Sequence, residues 1–265
     1  MSIVYQRRGS GEPLVLLHGI GHHWRAWEPV LDRLSTVHDV IAVDLPGFGA
    51  SPVPDGGMPA GMAGTVEAIA QFFAESGLSG PQRRPHVAGN SLGGAIALEL
   101  AVAGLVASAT ALSPAGFWTP AQRRWALAVL QLHRAGAHLP APVLRTVFHS
   151  GAGRALSFGT IVAKPGRLTV DRALADSVAL RNGKGFRAVA RAGRTYQFTG
   201  GAPTVPVTVA WGTRDRLLSY RQSVLARQRL PGARHVDLPG CGHVPMTDDP
   251  DLVASLILET TATRS

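Results

Sequence analysis

Short apolar, β-branched segments alternate with longer helical patterns along this chain, and few folds accommodate such an alternation. Seven segments have the composition and length of strands, at residues 3–7, 14–17, 40–43, 85–88, 107–112, 205–210 and 234–237. Helical patterns lie between them, at residues 27–34, 65–75, 92–103, 220–228 and 250–260. Strands that alternate with helices form mostly parallel sheets, because each parallel crossover needs a long connection. The sequence therefore predicts an α/β fold with a mostly parallel, twisted sheet flanked by helices.

The regular alternation stops after Leu112 and resumes near Val205. A structureless loop of this length is implausible in a compact domain. The segment also contains helical patterns of its own, at residues 120–138, 141–149, 170–180 and 186–199. We therefore predict one α/β core formed by residues 1–116 and 201–265, with residues 117–200 inserted as a helical cap over one end of the sheet.

Positive charge is concentrated in this predicted cap. The whole chain has a formal net charge of +9. Residues 117–200 contain eleven Arg, two Lys and two acids, so this segment is +11 and the rest of the chain is −2. A coding bias explains Arg in place of Lys, but it does not explain the scarcity of acids in one segment. An anionic substrate, a membrane surface and an acidic partner are the alternatives, whereas nucleic acid is not expected because no binding motif accompanies the charge.

Neither membrane insertion nor secretion is expected from the sequence. No run of apolar residues approaches the roughly 18 that a membrane span needs, and the first residues lack the apolar core of a signal peptide. The single cysteine, Cys241, cannot form an intramolecular disulfide, which agrees with a reducing compartment. The expectation is a cytoplasmic protein with a small-molecule substrate, either as a monomer or as a homodimer.

The most informative local pattern is a short apolar strand that runs into Gly-x-Ser-x-Gly and then into a helix, at residues 86–94. In such a nucleophile elbow the turn is so tight that Gly89 and Gly93 must be small, and the serine Oγ projects above the sheet at a helix N-terminus. A solvated serine in a glycine-rich turn is the simpler alternative. The position between a strand and a helix favours Ser91 as a nucleophile.

A serine nucleophile needs a base to take its proton and an acid to orient that base. Asp215 follows the strand predicted at residues 205–210, and His243 follows the next strand in a glycine-rich loop. Because the carboxyl ends of parallel strands share one edge of the sheet, both loops should face Ser91. Asp237 is the rival acid, but it lies within a predicted strand. We predict Ser91 as nucleophile, Asp215 as orienting acid and His243 as base.

Acyl transfer also needs donors for the oxyanion that develops on the carbonyl oxygen. The expected donors are the backbone N–H groups of Leu92, directly after the nucleophile, and of Ile20, in the loop after an early strand. His18 is expected to shape this loop. His18, His22 and His23 can alternatively be read as metal ligands, but they lack the usual Cys or carboxylate companions in sequence. No metal or other cofactor is therefore predicted.

Taken together, these motifs resemble those of the α/β-hydrolase superfamily, from the N-terminal strand to the last helix. The resemblance lies in HGIG at 18–21, DLPGFGAS at 44–51, GNSLGG at 89–94, GTRDRL at 212–217 and GCGHVPMTDDP at 240–250, in that order. It implies an α/β-hydrolase fold with a helical cap inserted after strand 6, and a serine hydrolase with a catalytic triad and an oxyanion hole. The cap is the least similar part.

Ser91 separates the chain from the haloalkane dehalogenase and epoxide hydrolase branches, which have Asp at the elbow. Asn90 resembles the elbow of carbon–carbon bond hydrolases, whose carboxylate-bearing substrates would suit a basic cap, although those enzymes often have Trp where this chain has Val244. We expect hydrolysis of a carboxylic ester or thioester through an acyl-enzyme. Cleavage of a vinylogous diketo acid is the alternative reaction, and a ligand sensor that retains the triad is the alternative class.

Overall fold

The computed structural model describes residues 2–80 and 83–263. Within these ranges one sheet contains the strands β1 Tyr5–Arg8, β2 Glu12–Leu17, β3 His38–Val43, β4 His86–Asn90, β5 Ser108–Leu112, β6 Val207–Gly212 and β7 Arg234–Leu238. Their order across the sheet is β1-β3-β2-β4-β5-β6-β7. Only β1 runs antiparallel to its neighbour among the described pairs, which confirms the mostly parallel sheet.

Helices connect the strands and form the insertion. In chain order they are α1 Glu28–Leu34, α2 Gly61–Glu75, α3 Leu92–Val102, α4 Pro120–Gly136, α5 Ala141–His149, α6 Gly151–Phe158, α7 Val170–Asn182, α8 Phe186–Ala192, α9 Gln222–Arg229, α10 Pro245–Asp248 and α11 Pro250–Ala262. Helices α4 to α8 all lie between β5 and β6. The predicted α/β fold class is confirmed.

Both faces of the sheet are covered at its inner strands β2 to β6, which are mostly buried, whereas the edge strands β1 and β7 are mainly exposed or half-buried. Alternate residues of β2 enter two different apolar clusters because side chains along a strand point to opposite faces. Val15 and Leu17 pack in the cluster that contains α2 and α3, whereas Leu14 and Leu16 pack in the cluster that contains α1 and α11. The sheet therefore forms the middle layer of three, and its loops at the carboxyl edge are held from both sides.

The insertion differs from the sequence-based expectation in three details. It follows β5, the fifth strand of this sheet, rather than strand 6, because the described sheet has one strand fewer ahead of it. The helix expected over 186–199 ends at Ala192, since Phe198 must return to the core, where its ring centroid lies 5.1 Å from that of Phe117. Helix α6 was not expected, because Gly151 and Gly153 weaken its first turn.

Within the described ranges, no helix combines the length and the apolar character that crossing a membrane requires. The longest helix of the insertion, α4, has instead an amphipathic pattern with several Arg residues. The division of the chain into a catalytic core and a functional lid stays a prediction.

Candidate active site

Ser91 occupies a sharp turn between β4 and α3. Its backbone φ is +58°, in the left-handed region that non-glycine residues rarely adopt. The turn is closely packed, because a Cβ added to Gly89 would clash with the backbone carbonyl of Gly93. The two glycines therefore permit the strand and the helix to approach each other, as the elbow motif predicts. This geometry leaves Ser91 at the N-terminal end of α3.

The loop after β2 lies directly against this turn. A Cβ added to Gly93 would clash with the carbonyl of Leu17, and one added to Gly19 would lie 3.3 Å from the Cβ of Ser91. Ile20, Ser91 and Leu92 line one cavity of about 70 Å³. Leu92 is the first residue of α3, where backbone N–H groups have no partner within the helix. The structure thus brings both expected oxyanion donors to the wall of the cavity that contains Ser91.

His18 has a structural position beneath this loop. Its Nε2 accepts the backbone N–H of Leu45 at 2.9 Å, and its Nδ1 lies 2.7 Å from the carbonyl of Gly19. The ring must therefore be neutral and protonated on Nδ1. Burial lowers the pKa of His18 to about 4. His18 connects two loops at the carboxyl edge of the sheet.

This low pKa predicts that acid destabilises the protein. In the folded state His18 is held neutral with a pKa of about 4, whereas its pKa in the unfolded state is 6.5. As the pH falls below 6.5, the unfolded state therefore binds more protons than the folded state does. For His18 alone, the free energy of unfolding should be about 2 kcal/mol lower at pH 5 than at pH 7. Urea unfolding at the two pH values measures this difference. The variant His18→Gln should show a difference that is smaller by about 2 kcal/mol, and an unchanged difference would contradict the assignment.

Asp215 and His243 are joined at the same edge of the sheet. His243 Nδ1 lies 2.8 Å from Asp215 Oδ2, and both side chains are almost fully buried. The other carboxylate oxygen of Asp215 accepts the backbone N–H groups of Leu217 and Leu218 at 2.9 and 2.8 Å. These bonds fix the carboxylate in one orientation. The rival Asp237 instead lies on β7 and forms a half-exposed ion pair with Arg227 at 2.6 Å.

The backbone around His243 is held by residues whose sequence pattern did not indicate this role. Asn90 Nδ2 donates to the carbonyl of His243 at 2.8 Å and to that of Leu112 at 3.1 Å. From the insertion, the carbonyl of Ile161 accepts the N–H of His243 at 2.8 Å and that of Val244 at 3.0 Å. The insertion therefore takes part directly in positioning His243.

Asp248 makes a second connection between the insertion and the histidine loop. It is fully buried, and its carboxylate accepts the backbone N–H groups of Gly242 at 2.7 Å, Ala163 at 3.0 Å and Lys164 at 2.7 Å. Gly242 directly precedes His243. The sequence signal was present in the motif GCGHVPMTDDP, but nothing in it distinguishes a buried acid from the exposed Asp251 a few residues later.

A larger cavity of about 440 Å³ adjoins the site inside the insertion. Ile20 and Leu130 line both this cavity and the one at Ser91, and Val244, next to His243, lines the larger one. Most of its wall is apolar, including Leu144, Phe148 and other side chains of the insertion. Among the described residues that line the two cavities, none is Arg or Lys.

His22 and His23 meet Asp176 of α7, and the three residues offer ligand atoms within 4.8 Å of one another. Existing hydrogen bonds compete with a metal ion, however. Arg172 and His23 donate hydrogen bonds to the same carboxylate oxygen of Asp176, at 2.9 and 3.0 Å. The Nδ1 atom of His22 accepts the backbone N–H of His23, so the proton of the neutral His22 ring is on Nε2. Asp176 is a carboxylate companion that the sequence did not place beside these histidines, which corrects that part of the sequence argument, and the three residues join the loop of Ile20 to the insertion.

Comparison with known proteins agrees with this architecture. A model of the alpha/beta hydrolase family matches residues 14–256, and this chain belongs to that family. An uncharacterized protein of Mycobacterium tuberculosis is 30% identical over 260 residues, which cover 91% of this chain and 73% of that protein. The pimeloyl-[acyl-carrier protein] methyl ester esterase of Aeromonas hydrophila is 38% identical over 102 residues, which cover 38% of this chain and 37% of the esterase.

Among solved structures, that of a membrane phospholipase A, described as a bacterial virulence factor, has a TM-score of 0.73 at 26% identity. The match covers 98% of this chain and 83% of that one. The similarity therefore extends across the core and the insertion together.

Proposed function

We propose that this hydrolase is a serine esterase that cleaves a carboxylic ester or thioester with a large apolar group, through an acyl-enzyme on Ser91. The proposal depends above all on the contact between His243 Nδ1 and Asp215 Oδ2, at 2.8 Å, beside the strained turn of Ser91. A nucleophile, a base and a fixed carboxylate at one sheet edge are what nucleophilic acyl transfer requires. The partial similarity to a methyl ester esterase supports cleavage of an ester bond.

The proposed mechanism has two steps. With Nδ1–H donated to Asp215, the Nε2 atom of His243 accepts the hydroxyl proton of Ser91 as Oγ attacks the carbonyl carbon. The backbone N–H groups of Ile20 and Leu92 stabilise the oxyanion. His243 then gives the proton to the leaving alcohol or thiol. In the second step His243 takes a proton from water as the resulting hydroxide attacks the acyl carbon. The bond from that carbon to Ser91 Oγ then breaks, His243 returns the proton to Oγ, and the acid is released.

Covalent labelling tests the nucleophile directly. A fluorophosphonate reacts with an activated serine, and it should modify the peptide that contains Ser91 in stoichiometric yield. In the variant His243→Ala the same peptide should remain unlabelled, because Ser91 then has no base. Mass spectrometry of the digested protein measures both results, and labelling of any other serine in place of Ser91 would refute the mechanism.

The cavities support an apolar substrate rather than an anionic one. Their walls are mainly apolar and lack Arg and Lys among the described residues, so the positive charge of the insertion lies elsewhere. Asn90, which suggested a carbon–carbon bond hydrolase, is buried and bonded to the backbone of His243, and it lines neither cavity. We therefore place esterase activity ahead of diketo acid cleavage.

Activity should rise with the length of the acyl chain. Each buried CH₂ group contributes about 0.8 kcal/mol, so kcat/KM should increase about threefold to fourfold per CH₂ group until the cavity is filled. A series of aryl esters from acetate to decanoate measures this slope. A matched ester with a distal carboxylate should be a poorer substrate than its neutral homologue. A preference for the carboxylate, or turnover of a diketo acid without esterase activity, would favour the carbon–carbon bond hydrolase instead.

The insertion is proposed to act as a lid. Trp118, Leu130 and Ala190 from the insertion line the cavity of Ser91, so a substrate bound there would be shielded from water. Saturable binding of a small molecule without turnover would instead assign the protein to the sensing class.

A further inference from the structure

Among the described residues, six large apolar side chains of the insertion are exposed to solvent, and besides Trp125 and Val178 four of them fall within residues 132–156. These four are Leu132 on α4, Leu139 in the following loop, Val143 on α5 and Leu156 on α6, and we call them the cap leucine patch. Leu156 retains 88% of its accessible surface and Leu132 retains 72%. Scattered exposed leucines are ordinary, but a group of them beside one opening marks an interaction surface.

Three members of the cap leucine patch lie at the mouth of the larger cavity. Leu132, Leu139 and Leu156 belong to the lining of that cavity as well as to the surface, so they form its outer rim. Deeper in the same cavity, Phe148 is buried and Phe158 is half-buried. The apolar surface is therefore continuous from the outside of the insertion to the interior.

The segment that carries the patch is strongly basic. No Asp or Glu occurs between Phe117 and Val170, whereas the segment contains six Arg and one Lys. In the described part of the chain, these basic side chains form one ion pair with an acid, between Arg145 and Asp171 at 3.6 Å, and that pair is exposed. Their charge is thus largely uncompensated, although the cavity wall contains none of them.

We propose that the cap leucine patch docks on the surface of an anionic phospholipid bilayer, with the cavity entrance facing the lipid. Leucine side chains enter the interfacial region of a bilayer, and Arg and Lys beside them bind acidic headgroups. A second copy of this chain fits less well, since two such faces would bring two positively charged segments together. The docking rests on the patch and the charge and does not depend on the chemistry of Ser91.

Vesicle flotation tests the proposal on the full chain. Wild-type protein should bind vesicles of phosphatidylcholine with 30 mol% phosphatidylglycerol at 50 mM NaCl. Binding should fall at least tenfold on pure phosphatidylcholine vesicles, and also at 500 mM NaCl, where screening is stronger. The variant Ser91→Ala should bind the vesicles like the wild type, so a failure of the esterase proposal would not change the vesicle-binding result.

Two matched double variants separate the patch from general surface hydrophobicity. Leu132→Ser with Leu156→Ser should weaken binding to the anionic vesicles at least tenfold. The control, Val37→Ser with Val224→Ser, removes two apolar side chains that are 54% and 55% exposed outside the insertion, and it should stay within twofold of the wild type. Circular dichroism and thermal melting verify that both variants are folded.

Equal binding by the two double variants would overturn the proposal, as would the absence of wild-type binding to anionic vesicles. Sedimentation velocity identifies the competing occupant. A wild-type dimer that the leucine double variant dissociates, without any vesicle binding, would assign the patch to a second copy of the chain.

Discussion

Replacing Ser91 with alanine should lower kcat/KM for ester hydrolysis by about 10⁴-fold or more. The substitution removes the nucleophilic oxygen and keeps the Cβ, so the backbone at φ +58° can remain as it is. The residual rate would come from substrate binding and oxyanion stabilisation, because the substitution of Ser91 does not remove either of them. Steady-state hydrolysis of an aryl ester series by the purified variant measures the loss.

Ser113 provides a matched control for this experiment. It is also buried with a positive φ, at +42°, and among the described residues its Oγ has no hydrogen-bond partner. It lines neither cavity. Ser113→Ala should therefore retain activity within about threefold, since no hydrogen bond is removed. If Ser91→Ala keeps more than a tenth of the wild-type rate, Ser91 is not the nucleophile.

Replacing Asp248 with alanine should lower the free energy of unfolding by about 3 to 5 kcal/mol. The substitution leaves three backbone N–H groups without this acceptor, the buried one of Gly242 and the part-buried ones of Ala163 and Lys164. Because Gly242 precedes His243, kcat should fall as well, even for the fraction that remains folded. Urea unfolding and steady-state kinetics measure the two effects.

Asp251 is the control for Asp248. Its side chain is 89% exposed and its pair with Arg33 is 3.5 Å long, so Asp251→Ala should cost no more than about 1 kcal/mol. If Asp248→Ala does not fold, Asp248→Asn keeps one acceptor oxygen and should show a smaller loss in the same direction. Equal effects at the two positions would contradict the role of Asp248.

Local sequence patterns predicted the parts of the site that depend on one strand and the loop after it. The elbow is of this kind, because Gly89, Ser91 and Gly93 determine a tight turn through their own size and backbone freedom. The choice of Asp215 over Asp237 also followed from position relative to a strand, and the structure brings Asp215 to His243. The catalytic roles of these residues stay predictions.

Interactions between distant segments could not be predicted in this way. Asn90 and His243 are 153 positions apart, and Asp248 contacts residues 84 and 85 positions away. No local pattern shows which of several acids will meet those backbone groups. The basic segment suggested an anionic substrate, and no local pattern indicated that the described residues lining the cavities would include neither Arg nor Lys.

The sheet, its flanking helices and the turn of Ser91 follow from local sequence, since hydrophobic periodicity and glycine placement act over a few residues. How the insertion meets the core, by contrast, depends on long-range packing. There, Ile161 and Asp248 hold the histidine loop, the larger cavity is lined mainly by apolar side chains, and three leucines form its exposed rim. These features depend on the packing of helices that are remote in sequence, and such packing follows from the shapes of both surfaces rather than from either segment alone.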